Sequence, residues 1–314
     1  MSKRKTTKQV NSKITSLEYS TEISIDTLTL VAKLTYEQQE ELANRIILYH
    51  NNQYQDQYFR YSRVINNIII KASPRNALTA INYNTMIIFL KSASLTKVPF
   101  SIREILQFDT WKIKRIDIAF DFSNNTPFSS FCNRLIFKHH GNVKFLQQSK
   151  NEKDWKSEYV GSLNPKTEAK ACCYDRNEKE SDMGTGIVHD HPLRFEVRLY
   201  PKLNEYNTLT RIDHGWIEKK LEKFIFVPDI ELLPINKWDK RRLYKIQEDY
   251  DYLKQLPSPK QKELKRVAKE HRVAFEDIYS MNKEQLFSFL KLEPLSNESY
   301  GVSEQLDYNS LLQE

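Results

Sequence analysis

Between Arg115 and Phe122 the chain alternates two chemistries with a period of two. Ile116, Ile118, Phe120 and Phe122 share one parity, and Arg115, Asp117, Ala119 and Asp121 share the other. Successive side chains on a strand point to opposite faces. The run therefore reads as a strand with one apolar face and one charge-bearing face. A second run, Arg194 to Leu199, repeats the pattern: Arg194, Glu196 and Arg198 oppose Phe195, Val197 and Leu199. Further strand-like runs lie at Ser24–Val31 and Tyr83–Leu90, and such runs dominate from Ile23 to Tyr200. Helices are expected around Thr35–Asn51, Ser101–Phe108 and Phe128–Phe137. Strands not joined by regularly alternating helices point to an α+β fold: an antiparallel sheet with flanking helices, followed by a helical C-terminal subdomain. The acid-bearing faces of the central strands would then form the floor of a groove.

Between the two charged runs sits Tyr174, in the segment Ala169-Lys-Ala-Cys-Cys-Tyr-Asp-Arg-Asn-Glu-Lys-Glu180. Carboxylates on adjacent strands can gather a divalent metal. A tyrosine nearby can attack a phosphodiester that the metal polarises. The residues thus read as a DNA nicking site. The same alternation also describes an ordinary half-solvated strand with ion pairs to its neighbours. With 17 tyrosines in the chain, one tyrosine by itself identifies nothing. From pattern alone, both readings stand.

Composition narrows the partner. Net charge is +7 and the pI is near 9.0, a balance that favours a polyanion. At 314 residues there is room for two compact domains with cores large enough to need no staples. Hydrophobic content of 39% with 28% charged residues describes a globular chain, and no apolar run approaches a membrane span. Residues 1–20 read as a basic disordered tail, because the Met1–Lys8 cluster is followed by no apolar signal core. Three cysteines, two of them adjacent, form no CxxC pair, which fits a cytoplasmic location. Six glycines supply no phosphate-cradling loop, so nucleotide hydrolysis is not expected. His139-His140 and His189-Asp190-His191 do not form the histidine–hydrophobic–histidine pattern of another class of nicking enzyme. His139, His140 and His189 read as surface loop residues.

The charge is concentrated late in the chain. From Lys237 to Arg272 twelve basic residues face six acids. Leu243, Ile246, Tyr250 and Leu253 recur at helical spacing, and Leu256-Pro257 ends that helix. Ser258 reads as an N-cap followed by Pro259 in the first turn. The next helix places Leu264, Val267 and Ala268 opposite Lys262, Lys265, Arg266 and Lys269. A further helix from about Ala274 is expected to break at Ser280-Met281-Asn282 before a last one from Gln285 to Leu292. Helices with one basic face fit a DNA-binding subdomain; a solvated lysine-rich face has the same pattern. Pro228 and Pro234 mark Phe226–Asn236 as the expected linker. The expected organisation is a catalytic domain over 21–213, a helical origin-recognition region over 214–294 and a flexible acidic tail over 295–314.

The order of segments resembles the rolling-circle plasmid replication initiators of Gram-positive bacteria, the Rep_trans type of nicking-closing protein. Ser24–Val31 is similar to that family's first strand, and Ile113–Asn125 to its most recognisable one. Tyr159-Val160-Gly161-Ser162 resembles its glycine-containing strand end. Cys173-Tyr174-Asp175-Arg176 stands where the family has an aliphatic residue, the nucleophilic tyrosine, Asn or Asp, and Lys. His191–Val197 matches its strand carrying Arg and Glu. Cys172 replaces a residue that is more often basic, with Lys170 a substitute for it, and Tyr83–Leu90 lacks an acid found in some relatives.

The resemblance implies a metal-dependent, site-specific DNA endonuclease and strand transferase. Tyr174 would be the nucleophile, with Lys170, Arg176 or Lys179 stabilising the phenolate. Asp117, Asp121 and Glu196 would hold Mg²⁺ or Mn²⁺, and Arg115, Arg194, Arg198, Lys262, Lys265, Arg266 and Lys269 would contact DNA. The product would be a 5′-phosphotyrosine and a 3′-OH primer, with rejoining by the same chemistry at termination. Implied partners are plasmid origin DNA presenting an unpaired nick site on a hairpin, a host helicase and a second copy of the chain, with no membrane. A relaxase-like mobilisation protein of an integrated element and a non-catalytic winged-helix origin binder are the alternatives.

Overall fold

The computed structural model describes residues 21–39, 61–65, 68–72, 83–90, 95, 106, 111–123, 135–138, 143–148, 156–161, 167–203, 207–249 and 251–291, of which 61–72, 135–148 and 156–158 are described by backbone alone. The strands are β1 (Thr21–Ala32), β2 (Tyr61–Ile65), β3 (Ile68–Ala72), β4 (Thr85–Leu90), β5 (Lys112–Phe122), β6 (Leu135–Lys138), β7 (Val143–Gln148), β8 (Lys156–Gly161), β9 (Ala169–Asp175), β10 (Leu193–Leu199) and β11 (Phe224–Val227). The helices are α1 (Arg176–Asp182), α2 (His214–Leu221), α3 (Lys237–Glu248), α4 (Tyr252–Gln255), α5 (Ser258–Glu270) and α6 (Phe275–Leu286). Nine strands form one sheet in the order β2-β3-β4-β1-β5-β10-β9-β8-β7, and its pairings are antiparallel. With its flanking helices the chain is an α+β protein, as the pattern of elements implies.

The alternation on β5 sets the layers. Ile116, Ile118, Phe120 and Phe122 meet Leu193, Phe195, Val197 and Leu199 of β10 in one buried cluster, joined by Ile25, Leu28 and Leu30 of β1 and Ala169, Ala171 and Cys173 of β9. Covering this face are Ile217 and Leu221 of α2, Phe224 and Phe226 of β11, and Phe275, Ile278 and Tyr279 of α6. Phe275 is the keystone: its ring stacks on Phe195 at 4.5 Å and 15° and lies 4.5 Å from Phe120. Burying an aromatic side chain of this size contributes about 2–3 kcal/mol by area alone.

β11 belongs to two cores because its own alternation faces both ways. Phe224 and Phe226 join the sheet cluster. Ile225 and Val227 join a second cluster with Ile230, Leu243, Ile246, Leu253, Leu264, Val267 and Ala268. The helical region thus has a small core of its own, yet α6 returns to the sheet. The expected boundary near 213 does not divide two cores, since residues on both sides of it pack in one cluster.

Several sequence expectations are corrected here. The linker expected over Phe226–Asn236 begins inside buried β11, where paired hydrophobic residues outweigh the flanking prolines. Residues 135–137, expected as the end of a helix, lie in β6 and pair with β11. No break occurs at Ser280–Asn282: α6 is continuous and Asn282 donates its side-chain amide to the Ile278 carbonyl oxygen at 2.8 Å. α3 stops at Glu248 and the short α4 follows, rather than one helix reaching Leu256. Ser258 opens α5 but makes no capping hydrogen bond, leaving Pro259 as the start signal. Of the helix expected from Thr35, residues 36–39 are described and helical. Thr35 and Gln38 exchange backbone-to-side-chain bonds at 3.0 and 3.2 Å, a capping box. Both expected tails and His139-His140 lie outside the described residues.

Two outcomes follow from the shared core. Phe275→Ala should lower stability by about 3–5 kcal/mol, read as the urea midpoint of a transition in which sheet and helices unfold together. A fragment ending at residue 213 lacks the layer over the sheet's apolar face and should aggregate rather than fold, as sedimentation would reveal.

Candidate active site

The opposite face of the sheet gathers the charges. Registers place Arg198 opposite Asp117, Glu196 opposite Ala119 and Arg194 opposite Asp121 across β10 and β5. Tyr174, Cys172 and Lys170 of β9 lie opposite Arg194, Glu196 and Arg198. One register thus aligns the polar parities of three central strands. Asp117, Asp121, Glu196, Arg194 and Tyr174 are all buried.

The cluster that forms is not the one expected from the sequence. Carboxylate oxygens of Asp26, Asp117 and Glu196 lie within 4.8 Å of one another. Asp26 comes from a β-bulge: Ile25 pairs with Ile118 and Thr27 with Asp117, leaving Asp26 as the extra residue between. A bulge bends its strand and re-aims a side chain, here toward the acids of the next two strands. The signal was present in the sequence, because the apolar parity of Ile23 and Ile25 slips to that of Leu28 and Leu30. Two residues between Ile25 and Leu28 require an irregularity in the ladder.

Asp121 takes a different part. Both its oxygens accept from Arg194, at 2.6 Å from Nε and 2.7 Å from Nη2. Arg176 Nη1 adds a third bond at 3.0 Å. The other arm of Arg194 donates to Asp26. Asp121 therefore holds the arginine that holds Asp26, and its lone pairs are taken by guanidinium groups instead of facing the triad. Arg115 grips Asp117 through Nε at 2.8 Å and through Nη2. Arg198 donates to Glu196 at 2.6 Å and to the Cys172 sulfur at 3.4 Å. The three strand arginines expected to touch DNA are thus committed to carboxylates.

Tyr174 sits at the end of β9, where its hydroxyl donates to Glu196 Oε2 at 3.3 Å. Asp175 next to it caps α1, accepting from the backbone of Asn177 at 2.7 Å and Glu178 at 3.0 Å. That cap starts the helix at once and brings Lys179 Nζ back over the Tyr174 ring, 4.7 Å from its centroid. Arg176 points to Asp121, and Lys170 stands four residues up the strand, about 13 Å away at Cα. Lys179 is accordingly the cation over the ring, while Arg194, opposite Tyr174 in the ladder, is the charge that favours the phenolate. The strand-end glycine, Gly161, sits at φ +145° with Lys170 Cα 3.3 Å from an ideal Cβ, so any side chain there would be strained and crowded. Tyr159 lies beneath Arg198, 5.8 Å from its ring centroid, and Tyr200 beneath Arg115, at 6.0 Å. His189, expected on a loose surface loop, is half-buried; its backbone N–H donates to Asn177 at 2.7 Å and its ring lies 3.5 Å from Glu180.

Burial dominates the electrostatics. Asp117 is pushed up to about 6, chiefly by loss of solvent and further by Glu196, against the pull of Arg115. The Tyr174 phenol is raised well above its ordinary value by burial and by the Glu196 charge. Cys172 is held as a thiol for the same two reasons. Three hard oxygen donors, two of them stripped of water, suit a cation such as Mg²⁺ or Mn²⁺. A dipositive charge there would relieve the repulsion that raises both Asp117 and the phenol.

On α5, Lys262, Arg266 and Lys269 are exposed and Lys265 is half-exposed. Arg266 pairs with Glu270 at 2.7 Å and Lys269 with Glu222 at 3.3 Å. Among the described residues no helix is long and apolar enough to cross a membrane.

No family model matches the chain, and no curated protein does. Among solved structures, a rolling circle replication initiator protein from Geobacillus stearothermophilus aligns over 73% of this chain and 97% of its own, with 11% identity and a TM-score of 0.41. A likeness of that size carries no functional argument. The site geometry must stand without it.

Two measurements probe the charge network. Asp117 binds its proton more tightly folded than unfolded, so the folded state is favoured at low pH and loses stability as pH rises from about 4 through 6. In EDTA, Asp117→Asn should flatten that part of the stability–pH curve by roughly 2–3 kcal/mol. Asp121→Ala strands two arginines and should cost about 3–5 kcal/mol in denaturant unfolding.

Proposed function

We propose that this protein is a rolling-circle replication initiator that nicks origin DNA through Tyr174. The reading is carried by one observation: the Tyr174 hydroxyl is hydrogen-bonded to Glu196, a member of a three-carboxylate cluster suited to a divalent cation. The segment resemblance to nicking-closing initiators and the net charge of +7 support it.

Asp26, Asp117 and Glu196 would hold the Mg²⁺ or Mn²⁺, which would polarise the scissile phosphate and lower the cost of a phenolate beside it. Glu196, accepting from the hydroxyl, is placed to draw its proton as the oxygen attacks phosphorus. The P–O3′ bond breaks as the P–O(Tyr174) bond forms, and the departing 3′ oxygen takes up a proton equivalent to the one Glu196 accepted, which leaves a 5′-phosphotyrosine and a free 3′-OH. Lys179 over the ring favours the developing negative charge. Reversal, with a 3′-OH attacking the phosphotyrosine, rejoins ends without a nucleotide cofactor because the phosphodiester energy is stored. Asp121 acts from behind: through Arg194 it fixes Asp26 against the other two carboxylates. Lys170 lies four residues from Tyr174 on β9, and Arg176 donates to Asp121 while its charge also acts on the phenol. The buried phenol can be reached only by unpaired DNA, in keeping with a nick site extruded on a hairpin. Duplex origin binding is assigned to α5, through Lys262, Lys265, Arg266 and Lys269. A host helicase, a dimer and a cytoplasmic setting belong to the same reading.

The deciding experiment incubates the protein with supercoiled plasmid carrying its origin, with and without Mg²⁺. Wild type should nick and relax it, EDTA should stop the reaction, and Tyr174→Phe should abolish it while origin binding stays within a few-fold. Asp26→Ala should raise the Mg²⁺ requirement as much as Asp117→Ala or Glu196→Ala, since each removes one carboxylate. Nicking by Tyr174→Phe at the wild-type rate would transfer the nucleophile to another tyrosine. Cutting in EDTA would remove the metal from the mechanism.

A further inference from the structure

We propose that the outer face of α3 binds unpaired nucleotides of a single-stranded nucleic acid, with bases stacking on Trp238 and phosphates meeting Arg241 and Lys245. This surface lies outside the Tyr174 site and is not needed for its chemistry.

The orientation of α3 is fixed by its inner face: Leu243 and Ile246 are buried in the second core. Trp238, Arg241 and Lys245 follow the spacing i, i+3, i+7 and so form one stripe on the other side. All three are exposed, and Trp238 is 67% exposed, which is unusual for the largest apolar side chain. Arg241 Cζ stands 4.9 Å from the Trp238 ring centroid. Lys245 Nζ stands 5.3 Å from the Tyr252 ring centroid, which carries the aromatic–cation pattern onto α4. Lys237, beside Trp238, is exposed as well.

The chemistry separates the possible occupants. A protein partner of an exposed tryptophan would meet an apolar surround, whereas this stripe alternates rings with cations. A DNA duplex would meet the cations but could not use the ring, because paired bases hide their faces in the stack. A single strand uses both: phosphates follow the cations and splayed bases stack on the aromatic face left open by the guanidinium. The α5 face, by contrast, is cationic and lacks an exposed aromatic residue, as suits a duplex backbone.

The test uses the full chain in EDTA, so that no strand is cut, and reads anisotropy of labelled strands about 12 nucleotides long, within the span such surfaces cover. Oligothymidine and an abasic strand of equal length separate bases from phosphates. Trp238→Ala should weaken oligothymidine binding about tenfold, the loss expected for one stacked base, and leave abasic binding unchanged. Arg241→Ala with Lys245→Ala should weaken both strands and flatten the salt slope by about one to two units. Unaltered thermal melting of each variant shows that the fold is intact. Equal affinity of wild type for the two strands, or oligothymidine binding unaffected by Trp238→Ala, would overturn the proposal. So would self-association in sedimentation that Trp238→Ala abolishes, which would assign the stripe to a protein contact. These outcomes do not depend on whether Tyr174 cuts DNA.

Discussion

The charged face of the sheet depends on one guanidinium. Arg194 donates from Nε and Nη2 to Asp121 on β5, and from Nη1 to Asp26 on β1. An arginine this deeply placed is costly to desolvate unless its donors are matched. Asp121 supplies the fork-to-fork partner that Arg prefers. With that pair fixed, the remaining arm specifies where the bulged carboxylate of Asp26 can stand. Across the face, Asp26, Asp117, Asp121 and Glu196 are matched by Arg115, Arg176, Arg194 and Arg198. The network is near neutral as it stands. Within it Asp26, Asp117 and Glu196 converge, each also accepting from a guanidinium group.

The same burial governs the Tyr174 hydroxyl. A phenol buried beside Glu196 is held protonated. The hydrogen bond to Glu196 and the ammonium of Lys179 set the ring between a proton acceptor and a stabilising charge. α1 makes this possible because its cap, Asp175, directly follows Tyr174. Local capping and the distant register thus converge on a single residue.

The helical region is bound to the sheet through β11 and α6. β11 presents alternate residues to two cores, and Phe275 closes the sheet from the far end of the sequence. The exposed faces of α3 and α5 are therefore carried by a body that shares its packing with the carboxylate site.

The sequence by itself determined the faces. Alternation on β5 and β10 assigned Asp117 and Glu196 to a polar side and Phe120 and Phe195 to a core, and the segment order singled out Tyr174. Helical spacing assigned Leu264, Val267 and Ala268 to an inner face, which they occupy. These features are local, since a strand or helix period is fixed by backbone geometry alone. What only the tertiary structure decided was the partners. Asp121 shares parity with Asp117 and both are gripped by guanidinium groups, yet only Asp117 lies beside Asp26 and Glu196. Asp26 joins the acids because the ladder between β1 and β5 slips by one residue, a slip that sequence signals only as a change of phase. The linker that two prolines suggested contains a buried strand, because β6, some ninety residues earlier, supplies its hydrogen bonds. Parity is a property of one strand. Which charges cancel and which converge is decided between strands distant in sequence, by register and by the bulge that breaks it.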